Sequence, residues 1–356
     1  MPPQPYLQQI LEVRTPLTRE QAGDLMHQIL SRQLTDIEIA ALLGALAARG
    51  ETASEIAGFV DAMRTAVTAI PLTDAERLNL VDTCGTGGDA SGTFNISTAA
   101  ALVAAATGAT SGANLMVAKH GNRAVTSQTV SADVLEALGI SVNLTPEEAA
   151  LALRTHRFAF LHAPSLHPAM KAVMPVRRAL GIRTVFNILG PLTNPAGASA
   201  QVMGVYAPHL VPLVAEAMAL LGTRHAFVVH GNKATDDNSK NGLDELSISG
   251  PSHLAEVHNG IVTLSTITPE DAGLQRASFD TLQGGNAQTN AAILNAIFSG
   301  ELGPRRDIVL LNAAAVLVAA DLAPDIPTGA ALAAKAIDTG AVTTLIRNLR
   351  TQGEPS

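Results

Sequence analysis

The sequence has one cysteine, Cys84, in 356 residues. A single cysteine excludes an internal disulfide and fits a protein of a reducing compartment. Positive charge is also scarce: 23 lysine and arginine residues stand against 31 aspartate and glutamate residues, for a net charge of −8. Because such a chain has no overall basic field, an anionic ligand must be bound by local cations. We therefore expect a small-molecule ligand, with no nucleic acid and no membrane as partner.

Other features are missing as well. No apolar run is long enough to span a bilayer, and no cationic start followed by an apolar core marks a signal peptide, so we predict a cytoplasmic protein. There is no Gly-Lys-Ser/Thr motif, which disfavours a P-loop nucleotide hydrolase. No His/Cys spacing suggests zinc. Cys84 adjoins a glycine-rich stretch, but we interpret it as a small buried residue rather than a nucleophile.

The N-terminal part is predicted to be a small all-helical domain covering residues 1–76. Three segments begin with a capping hydroxyl three residues before a carboxylate or amide, the pattern that opens a helix. These pairs are Thr18 and Gln21, Thr35 and Glu38, and Thr52 and Glu55. The predicted helices are 19–31, 36–49 and 53–68. Their apolar faces need a partner, either the other domain or a second copy of the chain.

The rest, residues 77–356, is predicted to be a larger α/β domain with a mainly parallel central sheet, because short β-rich runs alternate with helical ones. The predicted strands are 80–82, 115–118, 158–161, 202–206 and 226–230. The predicted helices are 131–138, one opened by Thr145 and Pro146, and 286–298, 305–320 and 328–350.

A glycine-rich stretch at residues 80–98, LVDTCGTGGDASGTFNIST, predicts strand, loop and helix in sequence. Glycines let backbone N–H groups approach a ligand, and a helix start adds N–H groups and a positive dipole end, which suits phosphate. An ordinary strand-to-helix turn is the alternative. Asp89 and the nearby hydroxyls favour the anion site, since they offer donors for phosphate and hard oxygen ligands for a divalent cation.

Three further clusters carry polar chemistry. Lys119, His120 and Arg123 surround Gly121 and Asn122 at the end of a predicted strand, where open α/β sheets bind ligands. The hydroxyl-rich run 124–131 follows and is interpreted as a lid or a second phosphate cradle.

The second cluster, at 162–195, contains His167, Lys171, Arg177, Arg178 and Arg183. An arginine here can bind a carboxylate through two parallel hydrogen bonds. We interpret Arg178 and Arg183 as solvated surface instead.

The third cluster is Asp244 and Glu245, two adjacent carboxylates that can hold Mg²⁺. Neighbours in a strand point to opposite faces, so both reach one ion only if the backbone bends. Asp236 and Asp237 are interpreted as loop surface. Together the clusters suit a Mg²⁺-bound diphosphate.

These motifs resemble the anthranilate phosphoribosyltransferases of tryptophan biosynthesis. The likeness covers nearly the whole chain and keeps the motifs in order. They are GTGGD at 85–89, FNIST at 94–98, KHGNR at 119–123, SADVLEALG at 131–139, HPAMK at 167–171, PVRRALGIRT at 175–184, FNILGPLTNP at 186–195, GLDEL at 242–246 and GPRRDIVLLNAAA at 303–315.

The resemblance implies a helical domain, completed by a helical segment near 168–190, that forms a homodimer. It also implies one reaction, in which the amine of anthranilate attacks C1 of 5-phosphoribosyl diphosphate (PRPP) and releases diphosphate. Mg²⁺ is the implied cofactor.

Carried over by motif, the resemblance also implies site residues. PRPP is expected to contact Gly85, Gly88, Asp89, Thr93, Asn95, Ile96, Ser97, Thr98, Lys119, Gly121, Arg123, Ser127 and Ser131. Anthranilate is expected to contact Asn122 and Arg177, with His120 and His167 lining its channel and Gly85 between the substrates. The expected Mg²⁺ ligands are Ser97, Asp244 and Glu245. Arg177 is the expected catalytic residue, and His120 can accept a proton.

The chain also departs from the family pattern. Val130 stands where a glycine is usual, and segments near 110–116 and 233–241 look inserted. These departures concern loop closure and substrate affinity more than reaction class. Two other classes stay open at this point: a pyrimidine nucleoside phosphorylase-like enzyme, and a non-catalytic relative that binds nucleic acid.

Overall fold

The computed structural model describes residues 3–122, 131–233 and 242–351. The N-terminal helices are α1 (Gln4–Gln8), α2 (Arg19–Leu30), α3 (Asp36–Arg49), α4 (Ala53–Thr65) and α5 (Asp74–Arg77), with a π-helical segment at Gln9–Val13. The later helices are α6 (Ile96–Ser111), α7 (Ser131–Ala137), α8 (Pro146–His156), α9 (Ala163–Leu166), α10 (Met174–Leu180), α11 (Phe186–Leu189), α12 (Leu210–Leu220), α13 (Ala287–Phe298), α14 (Pro304–Ala319), α15 (Ile326–Asp338) and α16 (Ala341–Thr351). The strands are β1 (Leu80–Gly85), β2 (Met116–Gly121), β3 (Phe158–His162), β4 (Ala200–Gly204), β5 (His225–Asn232), β6 (Gly242–Leu243), β7 (Ser252–His258) and β8 (Ile261–Ile267).

The predicted helix starts in the N-terminal domain are confirmed. The hydroxyls of Thr18, Thr35 and Thr52 each accept a hydrogen bond from the backbone N–H of the residue three positions later. The side chain of that later residue accepts a hydrogen bond from the backbone N–H of the threonine. Glu55 does more than cap α4. It is fully buried, pairs with Arg49 at 2.6 Å and accepts from the Leu17 N–H at 2.8 Å. This carboxylate therefore ties together the starts of α2 and α4 and the end of α3.

The strands form one sheet in the order β3-β2-β1-β4-β5-β7-β8, with β6 beside β5. The pairs from β3 to β5 are parallel, and those of β5 with β6 and β7, and of β7 with β8, are antiparallel. The predicted mainly parallel sheet is thus correct. The chain runs outward from β1 to β2 and β3, then returns to the other side of β1 as β4. Ligands of open α/β sheets bind at such a switch point, beyond the carboxyl ends of the two strands.

Both faces of the sheet are buried from β3 to β5. One face packs against α6, α7 and α13 to α16 and includes Val117, Phe160 and Phe227. The other packs against α12 and the helical domain and includes Met203 and Val228. The segment Pro168–Ala172 and α10 pack against α2 and α3, so a later part of the chain completes the helical layer. This layer lies over the carboxyl ends of the strands on one side.

Two elements differ from the sequence expectation. The antiparallel strands β7 and β8 were not predicted, since most side chains of β8 are exposed and lack the apolar run of a buried strand. The helix predicted at 328–350 is two helices, because Gly340 takes a left-handed conformation with φ of 74°. Over the ranges that the structure covers, no helix combines the length and the apolar character needed to cross a membrane.

Candidate active site

The glycine loop lies at the switch point of the sheet. Gly85, the last residue of β1, pairs with Gly204, the last residue of β4. Gly87 and Gly88 follow with φ of 67° and 80°, a region in which glycine is strongly favoured. The loop ends at α6, whose first turn is capped by no side chain of the described residues. Its first N–H groups and dipole therefore offer an anion site beside the loop.

Lys119 brings a positive charge under this loop. It lies near the end of β2, is buried, and donates from Nζ to the Thr83 carbonyl at 2.7 Å and to Ser97 Oγ at 3.3 Å. Burial lowers the pKa of the ammonium, while the Asp82 charge opposes that shift. Thr98 Oγ1 donates to Ser131 Oγ at 3.0 Å. Four predicted PRPP residues on α6, β2 and α7 thus form two contacting pairs, Lys119 with Ser97 and Thr98 with Ser131.

Three carboxylates meet beside the loop. Oxygens of Asp89, Asp244 and Glu245 lie within 4.8 Å of one another. The Gly87 N–H donates to Asp244 Oδ2 at 2.7 Å, and the Asp244 N–H donates to Asp89 Oδ2 at 3.4 Å. The backbone bends directly after β6, so the adjacent Asp244 and Glu245 do reach one point.

Two glycines allow Asp244 to lie this close to the ends of β1 and β4. A Cβ on Gly85 would overlap Asp244 Oδ2, and one on Gly204 would overlap the Asp244 carbonyl oxygen. No larger residue fits at Gly204 without moving the backbone of Asp244. The glycine pair at the ends of β1 and β4 thus positions the acidic segment over the switch point.

The carboxylates have the properties of a divalent cation site. Burial, with the charge of Asp89, raises the pKa of Asp244 to about 7, and burial with the charge of Asp244 raises the pKa of Glu245 strongly. Glu245 Oε2 is buried without a hydrogen-bond partner among the described residues. Clustered hard oxygens, one of them unsatisfied, fit Mg²⁺. A cation there would favour the charged carboxylates.

A cavity of about 430 Å³ opens next to the glycine loop. Its walls are largely apolar and come from both layers, with Met63 of α4, Met170, Met174 and Phe186 among them. Predicted site residues from four separate motifs line it: Gly85, His120, Gly121, Asn122, His167 and Arg177. A flat aromatic ring suits such a cavity, because apolar walls enclose its faces and a few polar groups fix its orientation.

Arg177 and Phe186 form the cationic end of this cavity. The guanidinium carbon lies 5.3 Å from the centre of the Phe186 ring. Burial lowers the pKa of Arg177, although arginine stays charged. Among the residues that the structure describes, no carboxylate pairs with it. A half-buried guanidinium of this kind is available to a ligand carboxylate.

His120 and His167 meet in the cavity wall. Their Nε2 atoms are 3.1 Å apart, and the ring centres 5.0 Å. Burial lowers the pKa of His120 to about 3 and that of His167 to about 4. Both rings are therefore neutral near pH 7, and one donates its proton to the other. Such a low pKa weighs against His120 as a proton acceptor.

The remaining predicted residues are placed as follows. Thr93 Oγ1 contacts Ser91 Oγ at 3.1 Å, and Asn95 Oδ1 accepts from Asn290 at 2.9 Å. The Ile96 side chain is part of the core, so only its backbone can contact a ligand. Arg123, Ser127 and Val130 lie outside the described residues, as do Asp236 and Asp237. Burial raises the pKa of the Cys84 thiol, which agrees with its interpretation as a structural residue.

Arg183 is exposed, as predicted, but it also makes a contact that the sequence did not predict. Its guanidinium lies 4.1 Å from the centre of the Tyr206 ring, and Nη2 donates to the Gly88 carbonyl. Arg183 is exposed but holds the glycine loop, whereas Arg178 is exposed on α10 as expected. Sequence reasoning missed this contact because 95 residues separate the partners.

Asp82 was missed as well. It is fully buried in β1 and accepts a hydrogen bond from the His120 N–H at 3.2 Å. Burial raises its pKa to about 6. An acidic residue inside an apolar strand run was the available signal, since a buried carboxylate is costly unless it has partners.

Comparisons with known proteins agree with this geometry. Residues 77–343 match the model described as "Glycosyl transferase family, a/b domain", and residues 4–67 match "Glycosyl transferase family, helical bundle domain". An anthranilate phosphoribosyltransferase of Symbiobacterium thermophilum is 48% identical over 344 residues, which are 97% of this chain and 96% of the relative. The chain belongs to the anthranilate phosphoribosyltransferase family.

Solved structures of the family share the fold. The Thermus thermophilus enzyme superposes with a TM-score of 0.86 at 40% identity, covering 97% of this chain and 98% of that one. A Saccharomyces cerevisiae family member in complex with PRPP and Mg gives a TM-score of 0.85 at 26% identity, covering 98% of this chain and 97% of that one. The predicted family is confirmed. The comparisons support neither the phosphorylase nor the nucleic-acid-binding alternative.

The glycine pair gives the first prediction. Gly204→Ala forces the Asp244 backbone away, so we expect a loss of at least about 2 kcal/mol in the free energy of unfolding. Urea denaturation measures it. Gly44→Ala is the control, because a Cβ on Gly44 in α3 has no atom within 4 Å and alanine favours helix. Equal stability of Gly204→Ala and the native chain would show that Asp244 does not depend on the glycine.

Proposed function

We propose that this protein transfers the 5-phosphoribosyl group of PRPP to the amine of anthranilate, with N-(5-phosphoribosyl)anthranilate and diphosphate as products. One observation carries the proposal. An apolar cavity with a half-buried arginine at one end opens onto Gly85, directly beside a glycine loop flanked by a buried lysine and a carboxylate cluster. Family membership supports the same reaction.

The anthranilate end of the site is proposed as follows. Arg177 binds the carboxylate through two parallel hydrogen bonds, and Asn122 supplies a further polar contact. Methionine and phenylalanine side chains enclose the ring. Because Gly85 lines the cavity and also ends β1, the amine lies at the border with the loop. This position brings nucleophile and sugar together, and positioning of that kind supplies much of a rate acceleration.

The PRPP end is proposed to use the loop, the start of α6 and Lys119. The N–H groups of Ser97 and Thr98 in the first turn of α6 and the hydroxyls of Thr93, Ser97, Thr98 and Ser131 bind phosphate oxygens. Lys119 and the dipole of α6 face the negative charge that builds on the diphosphate as the C1–O bond breaks. Charge stabilisation by groups already in place is the main contribution to such a step.

Asp89, Asp244 and Glu245 are the proposed carboxylate ligands of Mg²⁺, and Ser97 remains a predicted ligand. Mg²⁺ held by these residues would supply positive charge that offsets the charge of the leaving diphosphate. We propose no general base. His120 is a weak base, and the amine of anthranilate becomes acidic as it bonds to C1, so its proton can pass to water.

The reaction is tested by mixing the protein with anthranilate, PRPP and Mg²⁺ and following the loss of anthranilate fluorescence. In this assay we expect Arg177→Ala to raise the KM for anthranilate about 10- to 100-fold, since a hydrogen bond to a charged group is worth about 1.5–3 kcal/mol. The KM for PRPP should change little.

Arg178→Ala is the matched control, because the neighbouring arginine is exposed on α10 and should leave both KM values unchanged. An unaltered anthranilate KM in Arg177→Ala would remove Arg177 from the site.

The acidic segment gives a separate prediction. The double change Asp244→Asn with Glu245→Gln should raise the Mg²⁺ concentration needed for half-maximal rate at least about tenfold, because two charged ligands are lost. Titration of Mg²⁺ at saturating substrates measures it. The exposed Glu301→Gln serves as control. A normal Mg²⁺ titration in the double variant would reject these two residues as ligands.

We also propose a homodimer formed through the helical domain, taken as residues 1–76 with the segment near 168–190, and a cytoplasmic location. Leu11, Val13 and Ile37 support the dimer, since they are 54%, 65% and 82% exposed on that domain. Cys84 supports the location as a buried free thiol.

Ile37→Glu should therefore shift the mass in sedimentation equilibrium toward the monomer. Leu302→Glu, equally apolar and 80% exposed but on the α/β domain, should not. A dimer unaffected by Ile37→Glu would place the interface elsewhere.

A further inference from the structure

A second cluster of metal-ligating side chains lies at the opposite edge of the sheet. His225 begins β5 and pairs across the strands with His258, the last residue of β7. Glu256 is two residues before His258, so all three side chains are on the same face. Their ligand atoms lie within 4.8 Å of one another. The two imidazole rings are stacked, with centres 4.4 Å apart.

Both ring nitrogens of His225 contact carboxylates. Its Nδ1 lies 2.8 Å from Asp321 Oδ1 and its Nε2 lies 2.9 Å from Glu256 Oε1. A neutral imidazole has one N–H and can satisfy only one of two carboxylates. The other contact then places a nitrogen lone pair against a carboxylate oxygen. Either a second proton on the ring or a cation between Nε2 and Glu256 removes this conflict, and the nearby His258 supplies a further nitrogen ligand for a cation.

Residues behind the three side chains can orient them, as the partners of metal ligands do in known metal sites. Asp321 lies in the connection from α14 to α15, and its Oδ1 is 2.8 Å from Nδ1 of His225. With the proton on Nδ1, the lone pair of Nε2 faces Glu256 and His258. A carboxylate behind a ligating histidine fixes the tautomer in this way. Asp321 is itself held by Arg224. Glu256 is 37% exposed and His258 is exposed, which leaves a path for the ion from solvent.

We propose that His225, Glu256 and His258 bind a divalent transition-metal ion of the Zn²⁺ or Co²⁺ type, with Asp321 orienting His225. Two imidazoles and one carboxylate are a donor set for these ions, whereas Mg²⁺ prefers oxygen ligands alone. No His/Cys spacing in the sequence suggested zinc, because β5 and the β7 residues come together only in the sheet.

The site is structural rather than catalytic. His225 and the acidic segment lie at opposite ends of β5, and eight residues of strand span about 23 Å. A metal here would join β5, the β7–β8 hairpin and, through Asp321, the α14–α15 connection. We therefore expect the ion to raise the melting temperature and to leave the activity with Mg²⁺ unchanged.

The test uses full-length protein that has been treated with chelator and is kept in excess Mg²⁺. Binding of Co²⁺ is measured by visible absorption, and binding of Zn²⁺ by calorimetry and thermal melting. We expect one site per chain, a higher melting temperature with Zn²⁺, and at least about tenfold weaker binding in His258→Ala and in Glu256→Gln. Asp321→Asn should weaken binding about 10- to 100-fold.

His253→Ala is the matched control, since His253 is exposed on β7 but on the other face, and it should bind like the native chain. The variant Asp244→Asn with Glu245→Gln should also keep the Zn²⁺ effect. The proposal would be overturned if His258→Ala and Glu256→Gln bound the metal as tightly as the native chain. It would also be overturned if binding disappeared only in the Asp244 and Glu245 variant. A native chain that binds neither ion would overturn it as well.

Discussion

The contact of Asp244 with the paired glycines at the ends of β1 and β4 is the constraint on which the site depends. Gly85 and Gly204 face each other across two parallel strands, and the Asp244 backbone crosses directly over them. Because of this crossing, the Asp244 carboxylate accepts a hydrogen bond from the Gly87 N–H, and the carboxylate of Glu245 lies close to that of Asp89. The glycine loop and the acidic segment, far apart in sequence, therefore form one structure rather than two adjacent ones.

The same crossing creates an electrostatic cost. Three carboxylates share a largely buried space, which raises the pKa of Asp244 and Glu245, and the buried Lys119 offsets only part of their charge. Functional sites commonly hold groups that would be unfavourable elsewhere. A divalent cation together with a diphosphate would remove the conflict, since the cation satisfies the carboxylates and the phosphates satisfy Lys119 and the start of α6. The two ligands then support each other's binding.

Local signals in the sequence predicted what is local in the structure. Threonine capping boxes gave the starts of α2 to α4 and of α8, and β-rich runs gave the parallel strands, because both depend on neighbouring residues. What was missed depends on tertiary contacts. Arg183 acts on Gly88 from another element. The convergence of Asp244 and Glu245 was implied by the family resemblance but not by local signals, because β6 ends against glycines of two other strands. The residues of the acidic pair show that a backbone bend is needed, but the bend itself comes from strands distant in sequence.

The neutral histidine pair explains how the cavity can orient an anionic ring. Of the described residues that line it, Lys171 and Arg177 carry charge, and Lys171 is exposed. If His120 or His167 were protonated, a second buried cation would compete with Arg177 for a carboxylate. Burial prevents this by lowering the pKa of both rings, to about 3 and about 4. The histidines thus contribute shape and a hydrogen bond, and Arg177 is the one half-buried cation among the described residues that line the cavity. The orientation of an anionic ligand in the cavity therefore depends on the neutral state of the two histidines as much as on the charge of Arg177.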